Sequence, residues 1–169
     1  NSAVAAKFLQ MKSGGTVAIL DLDFHHGNGT QEIFYEDSSV LYISLHADPA
    51  QHFPFISGYE WEIGEGEGKG YNINFPLAGG TDGRTYLRTL EKAVQEIQDY
   101  DPSYLIVSLG TDTHKDDPLG NFMLGDSDFF EMGKLLSELD IFKLVIQEGG
   151  YNPVANASAV DSFMAGLLI

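Results

Sequence analysis

Cysteine is absent from the 169 residues, which excludes both disulfide bonds and catalysis by a thiolate. A chain without cysteine is more typical of the cytoplasm than of small secreted proteins, so we expect a cytoplasmic protein. No apolar run approaches the ~18 residues of a transmembrane helix, and no basic segment precedes an apolar one near Asn1. The sequence therefore predicts neither a membrane span nor a signal peptide.

Positive charge is also scarce in this chain. Lysine and arginine total 9 against 25 aspartates and glutamates, so the formal net charge is −16. This balance argues against nucleic-acid binding, because basic side chains are needed to neutralise a phosphate backbone. It suits a cationic or neutral small substrate, since surface potential steers association. Hydrophobic residues make up 43 %, which is enough for a core in a chain whose length predicts about one domain.

Short apolar runs in this sequence are typical of strands that are buried on both faces of a parallel sheet. Four such runs and one shorter strand are predicted at residues 16–20, 40–45, 104–109, 142–146 and 71–75. Helical patterns separate them at residues 3–11, 84–100, 127–139 and 157–169. Ser127 is the predicted N-cap of the third helix. Strands alternating with helices predict an α/β fold with a mainly parallel sheet, in one domain over residues 1–169.

Acidic residues and a histidine follow two of these strands at their carboxyl ends, where parallel sheets place ligand sites. Asp21, Asp23 and His25 alternate after the first strand and would project to one side of an extended chain. Asp112 follows the strand at 104–109; taken alone it would be a turn former or a helix cap. One imidazole nitrogen and two carboxylate oxygens suit catalytic zinc with an open fourth position. The spacing leaves open which of Asp21 and Asp23 is a ligand.

A tyrosine follows a third strand end. Gly149 and Gly150 permit a sharp turn that presents Tyr151 toward the same edge. A tyrosine after two glycines most often packs within a loop, but a hydroxyl beside zinc would stabilise a developing oxyanion. His26 points away from His25, so we expect it to pack or to form hydrogen bonds. The combination predicts metal-assisted hydrolysis of an amide or a related carbonyl compound.

These residues belong to a longer series of motifs that resembles the histone deacetylase superfamily. The likeness runs through Asp21-Leu-Asp-Phe-His-His-Gly-Asn-Gly-Thr-Gln31, Ser44-Leu-His46, Phe53-Pro54, Gly64-x-Gly-x-Gly68, Asn74-x-Pro76, Ser108-Leu-Gly-x-Asp112, Asp117-Pro118 and Glu148-Gly-Gly-Tyr151. It covers nearly the whole chain. The segment from Ser44 to Tyr59 most resembles bacterial acetylpolyamine amidohydrolases, and class II deacetylases share other pieces. The resemblance implies an arginase/deacetylase-like α/β fold.

The resemblance also implies a role for individual residues. Asp23, His25 and Asp112 match the ligands of one zinc ion per chain. Tyr151 matches the residue that polarises the scissile carbonyl. Further matches are a structural potassium or sodium ion held by Asp21, Ser44 and Leu45, and substrate-binding positions at Phe53, Gly149 and Gly150.

One departure from the family pattern is expected to limit catalysis. The general base of the family is a His-His pair upstream of this segment, and nothing in the chain matches it. The family domain is about twice as long, so residues 1–169 are interpreted as the carboxyl-terminal portion of a single deacetylase domain. An incomplete sheet would expose an unpaired edge, through which the chain could form a homo-oligomer.

We therefore expect a zinc-dependent amidohydrolase that removes acetyl groups from acetylated polyamines or from acetyl-lysine. Alone, this chain is expected to be weakly active or inactive, because a general base typically contributes ~10²–10⁴-fold. One alternative is a non-catalytic, deacetylase-like fragment or module that binds metal or an acetylated ligand. Another is a ureohydrolase with two Mn²⁺ ions, but such a site needs further acidic ligands, and the third strand end offers Tyr151, which such an enzyme would not need.

Overall fold

A parallel five-stranded sheet with helices on both faces organises the chain. The computed structural model describes all 169 residues. The elements are α1 (Ser2–Ser13), β1 (Val17–Asp21), α2 (Asn28–Phe34), β2 (Val40–Ala47), a 3₁₀ turn (Gly66–Gly68), β3 (Asn72–Leu77), α3 (Gly83–Tyr100), β4 (Tyr104–Leu109), α4 (Asp126–Ser137), β5 (Phe142–Gln147) and α5 (Pro153–Leu167). Every adjacent strand pair is parallel, in the order β3-β2-β1-β4-β5. The α/β prediction is confirmed.

The register of the sheet places the polar strand ends next to one another. Asp21, the last residue of β1, pairs with Ser44 of β2 on one side and with Ser108 of β4 on the other. Because all strands run the same way, the loops that follow β1, β4 and β5 leave the sheet at one edge. These three loops carry the predicted metal ligands and Tyr151.

Two apolar clusters cover the two faces of the sheet. The larger one packs strand residues such as Leu20 and Val107 against α3, α4 and α5, with Leu90 and Phe163 fully buried. The smaller one lies on the face that α1 and α2 cover, and it includes Ala6 and Phe34. None of the five helices combines the length and the apolarity that crossing a membrane requires.

Three local predictions need correction. β1 and β2 are buried throughout, but β5 is only half-buried and its ends are exposed, because it has a strand partner on one side alone. Ser127 is not an N-cap: α4 begins at Asp126, and the amide of Gly125 donates to the Asp128 carboxylate over 2.8 Å. The last helix starts at Pro153, ahead of the predicted residue 157, because Asn152 caps it by accepting from the amide of Val154 at 3.1 Å.

Candidate metal centre

Asp23, His25 and Asp112 converge at the edge of the sheet. One ligand atom from each of the three side chains lies within 4.8 Å of the others. The Nδ1 atom of His25 is 3.0 Å from Oδ2 of Asp112 and 3.5 Å from Oδ1 of Asp23. Asp112 is fully buried, and the other two side chains are partly exposed. The group is therefore closed on the protein side and open on the other.

Backbone amides orient both carboxylates. Oδ1 of Asp112 accepts from the amide of Phe24 at 3.0 Å, which ties the loop after β4 to the loop after β1. The two oxygens of Asp23 accept from the amides of His25 at 2.9 Å and Gly149 at 2.7 Å. Amide donors favour the ionised form of a carboxylate, so these contacts hold the ligands in place and oppose the effect of burial on their charge.

Glycine is required where the loops approach the carboxylates. A Cβ atom on Gly149 would lie 2.5 Å from Oδ2 of Asp23 and 2.6 Å from Oδ2 of Asp112. A Cβ on Gly110 would overlap Asp23 from the β4 side. Gly150 has a φ of +139°, which L side chains rarely adopt. The sequence signalled the glycine pair at 149–150 but gave no reason to single out Gly110.

The charges of the three side chains depend on one another. Hydrogen bonds to Asp112 and Asp23 raise the pKa of His25 to about 9. Burial raises the pKa of Asp112 to about 6, although its contact with His25 opposes the rise. Burial also acts to raise the pKa of Asp23, but hydrogen bonds from the His25 side chain and from the backbone outweigh it and lower that pKa. Two carboxylates that share one imidazole are a donor set for a divalent cation.

This donor set fits zinc. A single imidazole nitrogen and two carboxylate oxygens are ligand types that zinc takes, and three protein ligands leave one position free. Buried carboxylates of this density are unfavourable unless they are paired or coordinate a metal. Asp21 is not part of the group, so the geometry favours Asp23 at the position that spacing alone had left open.

Asp21 lies beneath the ligands in its own polar environment. Its Oδ2 accepts from the hydroxyl of Tyr42 at 2.9 Å, and its Oδ1 accepts from the amide of Asp23 at 3.2 Å. Burial first, and the nearby Asp23 second, raise the pKa of Asp21 to about 8. Ser44, its strand partner, is fully buried and lies 2.7 Å from Nδ1 of His46. No lysine or arginine pairs with Asp21, so the hydrogen bonds from Tyr42 and from the amide of Asp23 are what favour its ionised form.

An open cavity of about 440 Å³ lies in front of the ligands. Tyr151 stands on its wall, 52 % exposed, and its amide donates to Oδ2 of Asp117 at 2.7 Å. Burial raises the pKa of the Tyr151 hydroxyl, so the phenol keeps its proton at neutral pH. The ring of Phe53, 58 % exposed, has its centroid 6.4 Å from that of His25. The Asp117-Pro118 pair is one of the motifs in the sequence, but the sequence alone indicates no role for Asp117.

The other four histidines either form hydrogen bonds within the protein or lie away from this cavity. Nε2 of His26 is 3.1 Å from the amide oxygen of Gln31, and Nε2 of His46 is 2.8 Å from the carbonyl of Gly58. His26 is buried and hydrogen-bonded, as its position in the sequence had suggested. His52 lies against Phe24, and His114 lies near Asp116 and Asp126. His25 is the histidine that belongs to the three-residue group of possible metal ligands.

Comparison with solved structures places the fold. The crystal structure of acetylpolyamine aminohydrolase from Burkholderia pseudomallei matches with a TM-score of 0.95 and 37 % identity, over 99 % of this chain and 48 % of that one. A crystal structure of a histone deacetylase homologue from Aquifex aeolicus matches with a TM-score of 0.93 and 36 % identity, over 98 % and 45 %. The protein therefore has an arginase/deacetylase-like fold.

The family follows from the sequence comparisons. Residues 1–167 match the histone deacetylase domain. Acetylpolyamine amidohydrolase 2 of Pseudomonas aeruginosa is 47 % identical over 151 residues, which are 89 % of this chain and 44 % of that protein. The chain belongs to the histone deacetylase domain family. It spans about half the length of the bacterial relatives that it matches.

Proposed function

We propose that the protein acts as a zinc-dependent amidohydrolase on acetylated amines, with acetylated polyamines as the first choice of substrate and acetyl-lysine as the second. The convergence of ligand atoms from Asp23, His25 and Asp112 within 4.8 Å carries this proposal. Relatives named acetylpolyamine amidohydrolase support the substrate class. The net charge of −16 also suits a polyamine, which carries positive charge.

Each residue of the site has a chemical task in this proposal. Asp23, His25 and Asp112 would hold zinc, which supplies Lewis acidity toward the carbonyl and activates water. The amides of Phe24 and Gly149 hold the two carboxylates in place and favour their ionised form. The hydroxyl of Tyr151, protonated at neutral pH, would donate to the oxygen that becomes negative during hydrolysis.

Aromatic and glycine positions would shape the path of the substrate. The exposed ring of Phe53 forms one side of the approach to His25 and would contact the aliphatic part of the acyl-amine chain. Gly149 and Gly150 let the backbone pass close to the ligands, which leaves room for the acetyl group. Beneath the site, Asp21 with Ser44 and the carbonyl oxygen of Leu45 would hold potassium or sodium.

We further propose that residues 1–169 are the carboxyl-terminal portion of a deacetylase domain and that the general base lies outside them. Two observations support this. The chain spans 44 % of the Pseudomonas relative. Within the chain, no histidine other than the ligand His25 is free to take a proton in the cavity. The absence of a free histidine also favours the second candidate function, a module that binds a metal ion or an acetylated ligand but does not hydrolyse the ligand.

Two measurements on the zinc-loaded chain test the proposal and separate its two candidates. Calorimetric titration with an aminoalkyl hydroxamate, which carries a metal-binding head and a cationic tail, should show binding that Asp112→Ala abolishes. Acetate release from N-acetylputrescine should be ~10²–10⁴-fold slower than in a deacetylase with its general base. Absence of metal-dependent binding would contradict the proposal. Rapid turnover that Asp112→Ala removes would show that the base is present after all.

A further inference from the structure

Gln31 lies in a buried polar cluster beside the metal-ligand loop, residues 22–27. Its amide oxygen is approached by three nitrogen atoms: Nε2 of His26 at 3.1 Å, Nδ2 of Asn72 at 2.9 Å and Nδ2 of Asn74 at 2.8 Å. Each of the four side chains is at most 6 % exposed. The cluster thus joins α2, β3 and the loop that carries His25.

Backbone carbonyls fix the orientation of the two asparagines. Nδ2 of Asn72 also lies 2.6 Å from the carbonyl oxygen of Glu62, and Nδ2 of Asn74 lies 3.2 Å from that of Tyr59. A carbonyl oxygen only accepts hydrogen bonds, so the amino group of each asparagine must face it. The second hydrogen of each amino group then points at Gln31, which must present its oxygen.

The orientation of Gln31 in turn fixes the protonation of His26. Because the amide oxygen of Gln31 only accepts, Nε2 of His26 must carry the hydrogen that it donates. Nδ1 of His26 is then an acceptor, and the hydroxyl of Ser57 lies 3.3 Å from it. His26 is held at both ring nitrogens as a single neutral tautomer.

The ligand loop needs such an anchor because it has no regular secondary structure. Residues 22–27 follow the end of β1, and α2 begins only at Asn28. Side-chain contacts supply much of their order, including those of Asp21, Asp23 and Asp112 with the amides of residues 23–25. On the carboxyl side of His25, the side-chain anchors include the bond from His26 to Gln31 and the bond that the hydroxyl of Tyr42 donates to the carbonyl of Gly27 at 3.2 Å.

We infer that Gln31 is a positioning residue of the metal centre: by gathering His26, Asn72 and Asn74 on one oxygen, it fixes the backbone on which His25 meets Asp23 and Asp112. This rests on the proposed function, since it takes those three residues as the zinc ligands. Direct hydrogen-bond partners of metal ligands typically change metal affinity by ~10–100-fold when they are removed. Gln31 acts one residue further out, through His26, so the lower end of that range is expected.

The test compares the zinc dissociation constants of four proteins by competition with a chromophoric chelator. Gln31→Met keeps the length of the side chain but removes the acceptor, and it should weaken zinc binding by ~10-fold. Gln31→Glu keeps an oxygen for the three donors and should stay within a few-fold of the wild type. Gln95→Met makes the same change at an exposed site on α3 and should have no effect.

A stability control and a spectroscopic readout separate positioning from folding. Leu90→Val weakens the core on α3 and should lower the unfolding temperature without changing zinc affinity. The ¹⁵N shifts of the His26 ring should show a protonated Nε2 and a bare Nδ1. Should Gln31→Met fail to fold, Gln31→Asn, which withdraws the oxygen by one methylene, should weaken zinc binding in its place.

Three results would overturn the inference. The first is a folded Gln31→Met or Gln31→Asn variant that binds zinc as tightly as the wild type. The second is a Gln31→Glu variant whose zinc affinity is as low as that of Gln31→Met. The third is a proton on Nδ1 of His26. A wild-type chain that binds no zinc is distinguishable from these, because it removes the proposed function itself and the role of Gln31 with it.

Discussion

At the scale of single residues, Gly149 shows how closely the site is built around its carboxylates. Its amide donates to Asp23 over 2.7 Å, and a Cβ there would lie 2.5–2.6 Å from the oxygens of both aspartates. The nearest atoms belong to residues whose own positions are fixed by backbone amides. A methyl group can therefore be accommodated only if a ligand moves.

Gly149→Ala should lower zinc affinity by at least ~10-fold, the size of effect typical when the support of a metal ligand is lost. Gly29→Ala is the matched control, because Gly29 lies beside the same cavity with no atom within 4 Å of its would-be Cβ. Chelator competition on both variants measures the effect. Equal zinc affinity in the two variants would mean that the approach of Gly149 does not set the ligand geometry.

Part of this site was accessible from sequence and part was not. The alternation of side chains after β1 predicted that Asp21, Asp23 and His25 could bind a metal ion. The residue spacing could not decide which of the two aspartates is a ligand. The choice depends on the turn of the chain after Asp21, where β1 ends and the amide of Asp23 binds back to the Asp21 carboxylate. The roles of Gly110 and Gln31 depend on contacts between residues distant in sequence, which no local pattern encodes.

At the scale of elements, the strands were predictable because buried parallel strands are continuous apolar runs. The strand at residues 104–109 was predicted with its observed bounds. Helix α2 was not predicted, since Gly27, Asn28 and Gly29 are turn-forming residues and the helix has only seven residues. Its formation depends on tertiary contacts, which include the burial of Phe34 and Gln31.

Helices α4 and α5 touch at two glycines. A Cβ on Gly133 would overlap the carbonyl oxygen of Phe163, and one on Gly166 would overlap that of Phe130. Helix propensity alone favours alanine over glycine by about 0.5–1 kcal/mol. Overpacking against backbone atoms destabilises a protein by more than this, about 1–3 kcal/mol. The contact should therefore decide the sign of the effect.

Gly133→Ala and Gly166→Ala should each lower the free energy of unfolding by up to about 2.5 kcal/mol, which is the overpacking cost less the gain in helix propensity. Urea denaturation followed by circular dichroism measures the difference. A gain in stability, as expected for a glycine on an exposed helix face, would show that the two helices can separate at little cost. Neither glycine contacts the metal centre, so zinc affinity in the folded variants should match that of the wild type.

At the scale of the whole molecule, the sheet ends at β5. This strand is the apolar run Phe142–Gln147, yet it is only half-buried, and Phe142 is 61 % exposed. An apolar edge strand with unpaired backbone groups is a template for pairing with another chain. In a longer protein the neighbouring part of the domain would cover this edge, which agrees with the proposal that the chain is one portion of a deacetylase domain.

The chain is therefore expected to self-associate through β5. Sedimentation velocity over a range of concentrations should show a monomer that converts to larger species, and Phe142→Lys should shift the distribution to monomer. Ile56→Lys adds the same charge at a residue that is 82 % exposed in a loop away from the edge, and it should leave association unchanged. A monomer at all concentrations would contradict this prediction and show that the exposed β5 edge does not pair with a second chain.

The metal content of the purified chain, after dialysis against trace zinc, shows most directly whether Asp23, His25 and Asp112 hold a metal ion. Elemental mass spectrometry should find one zinc per chain in the wild type and none in Asp112→Ala, with circular dichroism showing that both are folded. This result is expected because the three ligand atoms already lie within 4.8 Å of one another. A folded wild type without zinc, or an Asp112→Ala variant that retains it, would contradict the assignment of Asp23, His25 and Asp112 as the metal centre.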